Sequence, residues 1–300
     1  MDKIERIKEL KREKNAVILA HYYVDGAIQD IADFVGDSLE LARKAKSVES
    51  DIIVFCGVYF MGETAKILNP DRKVLIPYYK AGCLMADMAI AEEIEEFRRE
   101  NPDYAVVTYV NSSADVKAVS DVCCTSANAV KIVENLNAEK ILFVPDKNLG
   151  SYVAEKVKNK EIKVWSGYCP VHQKLTVEEV EKKKKEYPNA VFVAHPECKK
   201  EVRDLADFVG STSQIINFVK ETKANKVIVG TEEGIIHQLK KQRPDIEFIL
   251  AYSEFSCDQM KMITVDRLLN ALEREQFEVE VPKDTAKKAK VAIEKMIEMS

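Results

Sequence analysis

Ala32-Asp33-Phe34-Val35-Gly36-Asp37-Ser38 recurs as Ser120-Asp121-Val122-Cys123-Cys124-Thr125-Ser126, and again as Ala206-Asp207-Phe208-Val209-Gly210-Ser211-Thr212. Ahead of each copy stands a β-branched run: Ala16-Val17-Ile18-Leu19-Ala20-His21, then Ala105-Val106-Val107-Thr108-Tyr109, then Ala190-Val191-Phe192-Val193-Ala194-His195. Behind each copy comes a third run, Ile52-Ile53-Val54-Phe55, Ile141-Leu142-Phe143-Val144 or Val227-Ile228-Val229-Gly230. A fourth follows: Lys73-Val74-Leu75-Ile76 leads to Cys83, Ile162-Lys163-Val164-Trp165 to Cys169, and Phe248-Ile249-Leu250-Ala251 to Cys257. Four motifs thus keep one order at a period of roughly 85 to 90 residues, the signature of a repeated architecture. Chance likeness among short apolar strings would not preserve register in this way.

The runs read as short buried strands, and helical patterns separate them. Alternation of that kind predicts an α/β protein: three similar αβα three-layer domains, each with a small parallel sheet, arranged around a pseudo-threefold axis. The expected units are residues 1–84, 85–172 and 173–263. Residues 264–300 lie outside the repeat and are expected to pack back on the first unit with residues 1–13. That tail holds a helix, a strand-like Phe277-Glu278-Val279-Glu280-Val281 and a Lys-rich amphipathic helix. Ser38, Ser126 and Ser211-Thr212 stand where N-caps are expected.

The 300 residues carry a formal net charge of −5, with acidic and basic residues interspersed and no basic stripe, which argues against a nucleic-acid partner. The run Lys182–Lys185 reads as the solvated face of a helix whose apolar side carries Val177, Val180 and Tyr187. The first residues are charged from Asp2 onward, unlike a signal peptide, and no segment reaches the length of a membrane span. A cytoplasmic protein is expected. Seven cysteines at irregular spacing, in a chain too large to need disulfides, point to core fillers, nucleophiles or metal ligands.

Polar residues just beyond the strand ends are the functional candidates in parallel sheets. Here they are His21, Tyr23, Ser38, Tyr109, Asn111, Ser126, His172, His195, Glu197, Ser211 and Thr212. Glu197 and Tyr23 are candidates for acid–base work. Cys83, Cys169 and Cys257 are the only cysteines in equivalent positions of all three copies. Cys56, Cys123 and Cys124 read as core, and Cys198 lies near the site. Three converging thiolates suit zinc or an iron–sulfur cluster. Structural zinc wants four ligands and close cysteine pairs, and neither condition is met. Three ligands leave one iron of a four-iron cluster open, as a Lewis acid needs.

His21-Tyr22-Tyr23, Gly36-Asp37-Ser38, Tyr109-Val110-Asn111-Ser112, Thr125-Ser126-Ala127-Asn128, Pro145-Asp146-Lys147-Asn148-Leu149, Cys169-Pro170-Val171-His172-Gln173, His195-Pro196-Glu197-Cys198 and Gly210-Ser211-Thr212 together resemble the quinolinate synthase family, over essentially the whole chain. The resemblance implies a [4Fe–4S] cluster held by Cys83, Cys169 and Cys257. It implies condensation of iminoaspartate with dihydroxyacetone phosphate to quinolinate for NAD biosynthesis, with loss of phosphate and water. Tyr23 and Glu197 would be the acid–base pair, and the remaining candidates would bind carboxylate or phosphate. The enzyme that supplies iminoaspartate is a candidate partner. Two positions depart from the family. Tyr22 stands where Asn is common and is expected to point away from the site. Ser213 stands where many members have Gly, and its side chain is expected to crowd a phosphate loop. Competing readings are another open-iron hydro-lyase, which needs no phosphate pocket, and a non-enzymatic iron–sulfur redox sensor.

Overall fold

The computed structural model describes residues 2–300. Each β-branched run forms a strand, and the strands fall into three parallel sheets of identical topology. In the first unit β1 (Ala16–His21), β2 (Phe34–Gly36), β3 (Ile52–Cys56) and β4 (Lys73–Leu75) are ordered β2-β1-β3-β4. The second unit repeats this with β5 (Tyr104–Tyr109), β6 (Val122–Cys124), β7 (Lys140–Val144) and β8 (Glu161–Val164) as β6-β5-β7-β8. The third has β9 (Val191–Ala194), β10 (Phe208–Val209), β11 (Lys226–Gly230) and β12 (Glu247–Leu250) as β10-β9-β11-β12. Every pairing is parallel, and helices cover the faces. The α/β class and the three similar αβα domains are as the repeat predicts.

The repeated aspartate has one job in all three copies. Asp33, Asp121 and Asp207 accept the amides of Ile18, Val106 and Phe192 at 2.8, 2.7 and 2.8 Å. The backbone amide of each aspartate in turn donates to the carbonyl of the same strand residue. A short second strand cannot hold its register on a few ladder bonds alone, and the carboxylate pins it there.

The helix Lys3–Glu13 packs on the helix Val265–Arg274, which also touches β3. The last helix, Lys283–Met299, departs from the expected packing. It lies chiefly against the helix Ala114–Ala118 and β6 of the second unit, with fewer contacts to the first. Its buried stripe of Ala289, Ala292, Ile293 and Met296 joins the core that the first two units share, so it fills the seam between them. Residues 277–281 form no strand. They make one antiparallel bridge, Leu75 to Glu278, and cover the exposed edge of β4. Among the described residues no helix is long and apolar enough to cross a membrane.

Candidate active site

The carboxyl ends of the three sheets open on one cavity of about 340 Å³. The first unit sends His21, Tyr23, Ser38 and Cys83 into its wall. The second sends Tyr109, Asn111, Ser126 and Cys169 with His172, and the third His195, Glu197, Thr212 and Cys257. Of the residues expected from sequence, only Ser211 stays off the wall. It is fully buried as the N-cap of the helix Thr212–Glu221, accepting the Gln214 amide at 3.3 Å.

Capping differs from expectation in the other two copies. Asp37, not Ser38, caps the helix Ser38–Ser47. Its carboxylate accepts Leu39 and Glu40 amides while Glu40 reaches back to the Asp37 amide, a complete capping box. Ser126 lies in a turn closed by Asn128, ahead of the helix Ala129–Asn135, so its hydroxyl is free for His195. The N-terminus of the helix after β2 is therefore already occupied by a side chain and offers less to an anion than the sequence suggests. Ser213 is not among the lining residues, and its hydroxyl donates to Asp37, which is, at 2.5 Å. Tyr22 likewise points elsewhere, donating to Glu40 at 3.1 Å.

His21 and His195 share a local motif. The amides of Tyr23 and Glu197 donate to their Nδ1 atoms at 3.1 and 3.3 Å. This assigns the proton to Nε2, where His195 meets the Ser126 hydroxyl at 3.2 Å. Burial holds both imidazoles neutral, with pKa values lowered to about 3.

Glu197 is 4% exposed and lies at the centre of a hydrogen-bonded chain. Tyr109 donates to its Oε1 at 2.7 Å, and His172 Nδ1 lies 2.8 Å from Oε2. Nε2 of His172 is then left to accept the Thr231 hydroxyl at 2.9 Å, and Thr231 accepts the Tyr23 phenol at 2.7 Å. Burial disfavours an ionised Glu197, but the imidazoles of His195 and His172 and the hydrogen bonds from His172 and Tyr109 outweigh it and hold the carboxyl below its ordinary range. The two direct hydrogen bonds add to this by holding both oxygens. Burial, reinforced by the nearby Glu197 charge, pushes the Tyr23 and Tyr109 phenols well up, so both stay protonated donors. Asn111 Oδ1 is buried in the wall without a partner. Such an atom costs about 1–3 kcal/mol until something donates to it, so it marks a ligand position.

The three cavity cysteines are half-buried, while Cys56, Cys123, Cys124 and Cys198 are buried. Cys198 points into the third unit, against the Gly230 carbonyl. Burial pushes the Cys83 thiol up to about 12, and Cys169 and Cys257 also up. The amide three residues on (Ala86, His172 or Met260) faces each sulfur and offsets part of this. Cys83 and Cys257 each also raise the Cys169 thiol, so the three sulfurs sense one another. A soft cation between them would remove that penalty, and the donor set fits one. Cys169, His172 and Glu197 also form a compact group whose ligand atoms lie within 4.8 Å of one another, compatible with a single metal ion.

The sequence model of the family described as Quinolinate synthetase A protein matches residues 5–298. The chain belongs to that family. Members of the family include a Sulfurihydrogenibium protein named quinolinate synthase, 50% identical over 299 residues that span 98% of this chain and 97% of the relative. The quinolinate synthase of Caldicellulosiruptor saccharolyticus is 49% identical over 301 residues, 100% of this chain and 99% of the relative. That of Aquifex aeolicus is 50% identical over 301 residues, 99% and 94% respectively. The family is one of enzymes, and this chain is an enzyme with it.

Thr231 and Glu232 were not among the residues expected at the site. Both directly follow β11, so the strand-end rule that found the others would have found them. In sequence the third run of each repeat carries a strand signal and no further motif. Asp146, two residues past β7, is the equivalent in the second unit and is visible in sequence only as part of a longer motif.

Proposed function

We propose that the chain is a quinolinate synthase that condenses iminoaspartate with dihydroxyacetone phosphate, releasing phosphate and water, with a [4Fe–4S] cluster on Cys83, Cys169 and Cys257. The observation that carries this reading is one half-buried cysteine from each of three repeats on a single cavity wall, with the buried Glu197 carboxylate beside Cys169. When bound, the cluster would supply an open iron as a Lewis acid for the dehydration.

The chain's own residues hold and deprotonate. His21 and His195 present Nε2–H donors, and Asn111 with Ser38 and Ser126 adds polar groups suited to carboxylate or phosphate oxygens. Glu197 is the base: it is ionised and already oriented by two donors. Tyr23 is the acid, a protonated phenol connected to Glu197 through Thr231 and His172. The donors of that chain all point toward Glu197, from Tyr23 through Thr231 and His172, so the chain holds the carboxylate ionised and fixes the phenol in place. Small molecules are the partners, the enzyme that supplies iminoaspartate remains a candidate, and free thiols suit a reducing cytoplasm.

Protein purified without oxygen should be brown, hold about four irons per chain, and make quinolinate from the two substrates. A colourless protein with one zinc would replace the cluster by the Cys169–His172–Glu197 site. A full cluster without product would favour a redox sensor. Thr231→Val tests the connection between the acid and base. It should keep its iron and lose about ten- to a hundredfold in kcat, because the Tyr23 phenol and His172 Nε2 each lose a buried partner. Unchanged kcat would disconnect the two groups.

A further inference from the structure

Each cysteine loop is tied to the end of the third strand of its own repeat. The amides of Tyr59, Lys147 and Glu233 donate to the carbonyls of Ala81, Gly167 and Phe255 at 2.7, 2.7 and 2.8 Å. In every case the acceptor lies two residues before the cysteine. The second and third repeats add another tie that the first lacks. Immediately before Lys147 and Glu233 stand Asp146 and Glu232, both fully buried. Asp146 Oδ2 accepts the Cys169 amide at 3.1 Å, and Glu232 Oε1 accepts the Cys257 amide at 3.1 Å. The second oxygens are also used, by Leu149 N at 2.6 Å and Gly234 N at 2.7 Å. Lys261 Nζ lies 2.9 Å from Glu232 Oε1 and donates to the Tyr23 carbonyl at 2.8 Å, so this tie reaches the first unit. At the equivalent position of the first repeat stands Val58. Its cysteine loop is held instead across the domain boundary, where Gln259 Oε1 accepts the Gly82 amide at 3.2 Å.

Helix capping does not account for these carboxylates. Asp146 caps the helix Lys147–Lys156 with Oδ1 alone, and the N-cap of the helix Ile235–Gln242 is Gly234, not Glu232. Their shared feature is the cysteine amide. With both oxygens committed to amides, neither carboxylate is itself a metal ligand.

We propose that Asp146 and Glu232 are positioning residues for the cluster ligands. They preset the Cys169 and Cys257 arms from behind, and Cys83, with no such carboxylate, is the arm that adjusts when the cluster is taken up or lost. The proposal rests on reading the three cysteines as cluster ligands. A charge-assisted hydrogen bond is about twice as strong as a neutral one, and outer-shell partners of metal ligands typically control about 10- to 100-fold in affinity.

The test uses two variants and two readouts. Asp146→Ser keeps a residue that caps helices well but is too short for both amides. Glu232→Gln keeps size and removes the charge. Iron release to a chelator should be about tenfold faster in each variant, with an unchanged far-ultraviolet spectrum. In metal-free protein, hydrogen exchange at the Cys169 and Cys257 amides should be slower than at Cys83. Asp146→Ser should bring Cys169 to the Cys83 rate, and Glu232→Gln, which keeps one acceptor oxygen, should speed exchange at Cys257 toward it. A wild-type protein without iron would overturn the cluster reading while exchange still tests the ties. Wild-type iron with unaltered release from both variants, or equal exchange at all three amides, would overturn the positioning role.

Discussion

Cys169→Ala protein, reconstituted without oxygen, should hold less than about one iron per chain against about four in the wild type, and should make no detectable quinolinate. Cys83→Ala and Cys257→Ala should behave alike, since each unit contributes one cysteine to the same wall. Two thiolates, from only two of the three units, leave too few soft donors to retain a cluster against solvent. Cys56→Ala is the matching control: Cys56 is buried in β3, and losing its sulfur should leave iron content unchanged. Iron and sulfide assays with the visible spectrum check all four. Full iron in any of the three cavity variants would remove that residue from the ligand set.

Glu197→Gln should retain the cluster and lose at least about a hundredfold in kcat, the usual worth of a positioned base. Glutamine nearly matches glutamate in volume, but it presents one acceptor where two donors, the Tyr109 phenol and His172 Nδ1–H, now converge. Its amide must then oppose one of them, so the loss is of orientation as well as basicity. Single-turnover rates, with iron measured in the same samples, separate this from cluster loss. A kcat within about threefold of wild type would assign the base elsewhere.

The three-sheet architecture could be read from the chain because a strand pattern repeated in register leaves a signal at every copy. The helix caps were less legible. Asp37 and Ser38 are adjacent and both are good cap residues, and the choice between them turns on Glu40 closing the box on Asp37. In the second repeat Asn128 moves the helix start beyond Ser126, and this frees the serine for the cavity. The packing of Lys283–Met299 was misplaced for a related reason. An amphipathic stripe states that a helix is buried but not which neighbour covers it, and the seam between two units accepted it.

Sequence alone determined the α/β class, the triplication and the selection of Cys83, Cys169 and Cys257 from seven cysteines, because equivalence among copies is a linear property that register preserves. The tertiary structure alone decided which side chains touch. It joined Tyr23 to Glu197 through Thr231 and His172, turned Ser211 and Ser213 onto Asp37, and set Asp146 and Glu232 behind two of the three cysteines. Those pairings come from residues up to 208 positions apart that compete for donors over a few tenths of an ångström. Spacing along the chain carries no record of that competition, which is settled only when three sheets meet at one cavity.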